Sequence, residues 1–321
     1  MYSTFKFNIS DLKPYLRWFI LGGTIFFLAK ALKDHWQEVL AIRIIGPGWT
    51  YLTLACAVTL CAHIFSGWVW SWILQGLNQP VRGLWAVRVY LITNIAKYLP
   101  GNVWHFYGRI RSAQAVGVPL LSASVSVLME PLLMSAAALL LALACTPKLN
   151  LGIQLPILTF VLVGLHPQAL NRLLQYTAKL KNKTKIKPTS EKTIVRVKSY
   201  PILPLIGELV FVGLRGAGFL MVVLAFHPLE PVEIPLLLSA FSLSWVVGLV
   251  IPGAPGGIGV FEAVAIALLD EPLSAGVVLS VIAMYRLINT MAEASGAGLA
   301  WLTQQGQIAP FSKSSSQKPQ G

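Results

Sequence analysis

Charge is what this chain has least of. Only 12% of its 321 residues are Asp, Glu, Lys or Arg, whereas a soluble domain carries about 25%. So little charge cannot wet a surface of this size. A hydrophobic fraction of 55% and a mean hydropathy of +0.68 point to lipid as the main solvent. Cysteine is scarce too. Cys56, Cys61 and Cys145 lie in apolar runs without metal-ligand spacing, so no disulfide framework or zinc site follows, and they read as small packing residues. The five histidines (His35, His63, His105, His166 and His227) are scattered and form no metal constellation. A Walker-type Gly-Lys-Ser/Thr motif is missing, so any movement of a substrate is passive, gradient-coupled or driven by a partner. No cofactor is expected.

Acidic residues are the scarcer charge, 12 against 25 Lys and Arg, for a net +13. Such an excess can bind nucleic acid, but here the bases cluster beside apolar spans, which argues against it. Nine basic residues stand between Arg172 and Lys198 with only Glu191 opposing them. This is the positive-inside signature of a cytoplasmic loop, placed at 166–201, which could also touch anionic headgroups.

A bilayer core needs about 20 apolar residues per helix. The first candidate span is Leu16–Leu32. Ala29-Lys30-Ala31 resembles a signal-peptidase site, but Lys30 and Lys33 follow with no polar mature domain beyond, so a retained anchor is expected. Spans follow at Trp49–Leu74, Leu120–Cys145, Leu151–Leu165, Ile202–Phe226, Ile234–Ile251 and Ser274–Leu302. Gly83–Leu99, Asn102–Gln114 and Val260–Leu269 are too short or too polar to cross alone. They read as broken, re-entrant elements around Pro100-Gly101 and Pro252–Gly259. The predicted fold is therefore an all-α integral membrane bundle of about seven to nine spans. Residues 1–14 form a cytoplasmic N-terminus, 15–302 the membrane domain, and 303–321 a Ser/Gln/Lys-rich disordered cytoplasmic tail. With the basic loop inside, both termini fall inside and the short acidic segment His227–Glu233 falls outside. A cell (inner) membrane location follows.

Two features of the spans carry chemistry. Pro252 to Gly259 packs two prolines and four glycines into eight residues, which cannot continue an α-helix. Such backbone persists at membrane depth only inside protein or beside a wet cavity. The helix restarting at Val260 would turn its N-terminal amides toward an anion. The alternative is an ordinary interfacial loop. Pro100-Gly101 is a similar break 152 residues earlier, approached in the opposite sense, which suggests inverted repeats around a central site.

The second feature is charge within apolar runs: Glu130, Glu208, Arg215, Glu262, Arg286 and Glu293. Each costs about 2.5–3.5 kcal/mol at a helix centre, so six unpaired would sum to about 18 kcal/mol, more than a fold carries. They must pair, neutralise or face water. Glu208 and Arg215 are seven apart, as are Arg286 and Glu293, so each pair forms a stripe on one helix face that Asn289 extends. Either these charges are structural ion pairs, or they line a polar chamber. In the chamber Lys97, Arg109, Arg215 and Arg286 contact phosphate, which arginine suits by its planar fork, and the glutamates tune them or take up protons. His105, beside Trp104, reads as an interfacial residue. The candidate binding set is Lys97, Pro100, Gly101, Arg109, Glu130, Arg215, Pro252, Gly253, Pro255, Gly256, Gly257, Gly259, Glu262, Arg286 and Asn289. No catalytic or metal-binding residue is expected.

The turn Lys97-Tyr98-Leu99-Pro100-Gly101 with Arg109, the Pro252–Glu262 motif, and Tyr285-Arg286 on the last long span together resemble a known family. It is the lysylphosphatidylglycerol synthase transmembrane-region family, the flippase-like domain of the multiple peptide resistance factor. The resemblance spans about residues 15–302. It implies two re-entrant elements around a lipid-accessible cavity, and translocation of modified phospholipids or related isoprenoid or glycolipids. Bifunctional members carry a soluble aminoacyl-transferase domain after the membrane part. Only 19 residues follow Leu302 here, so lysyl-lipid synthesis by this chain alone is not expected. The leading expectation is a lipid-binding flippase that is not an enzyme. The alternatives are an accessory subunit of a lipid-synthesis or glycosyl-transfer complex, with an enzyme partner, and an intramembrane lipid-modifying enzyme.

Overall fold

A computed structural model of the protein describes residues 33, 44, 46–98, 103–146, 150–172, 196–251, 259–269 and 273–305. The expected span 16–32, the two Pro-Gly breaks, most of the basic loop and the tail lie outside the described residues. Among those described there is no strand. Four helices are long and apolar enough to cross a membrane: α1 (Gly48–Gly76), α4 (Leu120–Ala144), α6 (Ile202–Phe226) and α9 (Ala275–Gln305). The fold is that of a helical membrane protein.

Between them lie shorter helices: α2 (Gly83–Asn94), α3 (Trp104–Ala115), α5 (Leu151–Gly164), α7 (Ile234–Val250) and α8 (Val260–Leu269). α2 runs into a 3-10 turn, Ile95–Tyr98, just before the first break. These boundaries follow from local chemistry. Asn150 caps α5 by accepting from the Gly152 N–H at 2.8 Å. Gly259 starts α8 at φ +84°, a left-handed conformation that side chains resist, and its N–H donates to Glu262 Oε2 at 2.5 Å. The motif glycine and glutamate thus form half of a capping box.

Large apolar side chains cover the outside as well as filling the core. α4 exposes Leu121, Leu128 and Leu132 along one stripe, and α9 exposes Leu287, Met291 and Trp301. Buried positions include Glu130, Glu208, Arg109, Arg215, Glu262 and Glu293. Apolar outer faces suit hydrocarbon, while ionisable residues face the bundle interior. Cys61 departs from expectation, being exposed on the outer face of α1, and Cys56 and Cys145 are only half-buried. A thiol costs little against lipid, so burial is not enforced there.

The helices form two quartets with the same order of lengths, long, short, short and long: α1–α4 and α6–α9. The largest interface joins α1 to α6. Close approach there uses small residues, as at Gly218, where a Cβ would come within 2.9 Å of Thr59 Oγ1. α4 packs on α6 and α7, and α9 packs on α1 and α2. Exchanging α1 with α6, α2 with α7, α3 with α8 and α4 with α9 reproduces every helix–helix contact of the two quartets. Hydrogen bonding ties the interior further, with Trp70 Nε1 donating to Ser126 Oγ at 3.2 Å and Ser66 Oγ to Tyr90 Oη at 2.8 Å.

Candidate functional site

Each long helix carries a polar residue close to its midpoint. At 1.5 Å per residue, His63, Glu130, Arg215, Asn289, Glu293 and Arg286 all lie within about 6 Å of the centre of their helix. Four such helices packed together concentrate these groups at one depth, around a cavity of about 190 Å³. A water takes up about 30 Å³ of liquid, so this space holds about six waters or one small headgroup. Its polar wall includes Lys97, Arg109, Glu130, Arg215, Arg286 and Asn289. Met134, Trp245, Leu249 and Phe261 supply apolar wall.

Three carboxylates are committed to cations. Arg109 of α3 pairs with Glu130 of α4, and Arg286 of α9 pairs with Glu262 of α8. Each pair links a short helix to the following long one, with signs reversed between the quartets. Their exposure differs: the Arg109 and Glu130 side chains are 2% and 3% exposed, those of Arg286 and Glu262 31% and 7%. The Arg109 guanidinium also lies 3.9 Å from the Tyr90 ring centre and donates to Asn94 Oδ1 at 3.5 Å. Lys97, from the unwound turn after α2, bonds Glu293 of α9, which also accepts from Asn289 Nδ2 at 3.0 Å.

Arg215 is different. Its Nη1 donates to Asn289 Oδ1 and stands 3.2 Å from His63 Nε2. Its guanidinium lies 5.1 Å from the Tyr285 ring, while Tyr285 donates back to the Arg215 carbonyl at 3.4 Å. None of these partners is a carboxylate. No carboxylate pairs with Arg215 among the described residues, and its buried Nε has no hydrogen-bond partner there. His63 Nε2 lies 3.1 Å from both Glu293 Oε1 and Asn289 Oδ1. It can donate to those oxygens or accept from Arg215, but not both. The imidazole therefore sits between Arg215 and the carboxylate held by Lys97.

Of the expected binding set, the cavity wall brings together Lys97, Arg109, Glu130, Arg215, Arg286 and Asn289. Glu262 stands behind Arg286, and Gly259 supports Glu262 through its backbone. Pro100, Gly101, Pro252, Gly253, Pro255, Gly256 and Gly257 lie outside the described residues. His105, expected to be an interfacial residue, is buried in the cavity wall, 3.8 Å from the Phe106 ring. Glu208 shares the buried face of α6 with Arg215 but is not part of this wall. Sequence reasoning did not select His63, and it left Glu293 outside the binding set. Both had a usable signal, an ionisable group in mid-span. Among the described residues no three His, Cys, Asp or Glu side chains come together as a metal site. Compared with known proteins, the chain matches no family model and no curated protein.

Proposed function

We propose that the protein binds an anionic or modified phospholipid, or a related isoprenoid or glycolipid, in the central cavity and moves its headgroup between leaflets. The observation that carries this reading is Arg215, a buried cation near the midpoint of its helix with no carboxylate partner among the described residues. A charge at that depth is costly unless compensated. A phosphate oxygen reaching the cavity would supply both the missing counter-charge and the acceptor for Nε, in the geometry guanidinium favours. Lys97 and Arg286, whose side chains are 20% and 31% exposed, border the same space and would guide the headgroup in.

The resemblance to the lysylphosphatidylglycerol synthase transmembrane-region family supports the same reading. So does the exchange of contacts between the two quartets, the packing expected of repeats around a central site. In this account α2–α3 and α7–α8 are the two broken, re-entrant elements, and the termini lie on the cytoplasmic side of the cell membrane. The cavity groups act by binding, and no bond of the lipid is made or broken. The test is translocation of fluorescent phosphatidylglycerol in vesicles containing Arg215→Ala or Arg286→Ala. Both variants should insert and lose translocation; normal rates in both would reject the assignment.

A further inference from the structure

Among the described residues, Glu208 is the one buried acid with no role in the arrangement above. It is fully buried (0% exposed), and neither carboxyl oxygen has a hydrogen-bond partner among the described residues. Its neighbours along α6, Leu205, Phe211 and Val212, belong to an apolar cluster with Val69 and Ile73 of α1 and Val125 and Met129 of α4. At the matching distance from the midpoint of α1 stands Cys56, so the shared architecture does not require an acid here. A carboxylate in such surroundings is sustained only where positive charge nearby is otherwise unbalanced.

The charges around it set when it can ionise. Glu130 of α4 and Arg109 of α3 are within electrostatic reach, as is Tyr90 of α2. α1 contributes His63 and α9 contributes Tyr285, Arg286 and Glu293 on the Arg215 side, while α7 has no titratable residue. Counted together, Lys97, Arg109, Arg215 and Arg286 face Glu130, Glu262 and Glu293. One positive charge is left over before any imidazole proton is counted. In a low-dielectric interior that excess must be balanced. A bound monoanion balances it, and so does an ionised Glu208.

Resting on the transport reading, we propose that Glu208 is the proton-coupling group, protonated when a monoanionic phosphodiester occupies the cavity and ionised when the cavity is empty. The headgroup then crosses with one proton, taken from water on the entry side and released on the exit side. The combined step carries no net charge.

The test uses the full chain in phosphatidylcholine vesicles containing a small share of fluorescent phosphatidylglycerol, with protein-free vesicles as the control. A pH gradient of one unit, acidic outside, should enrich the probe in the inner leaflet about tenfold. A potassium diffusion potential at equal pH should produce no asymmetry. Glu208→Gln, a permanently neutral mimic of the acid, should reverse the pattern by responding to potential and ignoring the pH gradient. Wild-type movement that ignores the pH gradient would overturn the coupling while leaving the transport reading intact. No movement of the probe under any gradient would overturn both. Should Glu208→Gln fail to insert, the wild-type comparison of pH gradient with potential decides alone.

Discussion

At the residue scale, burial and partner choice separate two kinds of intramembrane charge. Arg109 and Glu130 form a sealed pair, and removing one partner leaves the other buried and uncompensated. Glu130→Ala should therefore destabilise the protein by about 3–5 kcal/mol. A double-mutant cycle with Arg109→Ala, read by thermal unfolding in detergent, should recover much of that loss. Additive losses would mean that the pair is not coupled. Arg215 should behave in the opposite way. Its truncation removes an unbalanced charge, so Arg215→Ala should unfold at or above the wild-type temperature while losing lipid movement. Gly259→Ala forces a side chain into the left-handed region and should cost about 1–2 kcal/mol. A wild-type melting temperature would show that α8 can start another way. The sequence made these residues visible as charges out of place, but not how they are matched. The spacing of Arg286 and Glu293 suggested one stripe, and folding sends the first to Glu262 and the second to Lys97 and His63.

At the element scale, hydropathy located the helices well because length and apolarity are local properties. Ile202–Phe226 and Val260–Leu269 fall at their expected bounds, and Trp49–Leu74 and Ser274–Leu302 shift by only a few residues. What hydropathy could not indicate is which helices touch, since packing depends on small residues that carry little hydropathic signal. Gly67 is one: a Cβ there would stand 2.7 Å from the Val87 Cα, so α1 and α2 meet at van der Waals distance. Gly67→Leu should push α2, and the Lys97 turn after it, away from α9 and so weaken the Lys97–Glu293 pair. Disulfide trapping between cysteines placed on α2 and α9 should slow in that variant. Unchanged trapping would show that α2 is held from elsewhere. His105 illustrates the same limit: its neighbours in sequence do not tell that α3 buries it in the cavity wall.

At the scale of the whole molecule, two quartets exchange equivalent contacts and carry ion pairs of opposite sign at equivalent places. One pair is sealed and the other is partly open. Similar segments thus build a cavity wall in which, among the described residues, Arg109, Arg286 and Lys97 pair with carboxylates and Arg215 does not. The two Pro-Gly breaks, 152 residues apart and approached in opposite senses, were the hint of this in the sequence, and little else matches because packing symmetry tolerates nearly complete divergence of side chains. The transport reading requires the polar groups near the helix midpoints to enclose water. The decisive experiment labels Asn289→Cys, in a chain with its three native cysteines replaced by alanine, with a charged, membrane-impermeant thiol reagent in sealed vesicles. The folded protein should be labelled, at a rate reduced by phosphatidylglycerol. A residue 289 that reacts only after denaturation would contradict that reading.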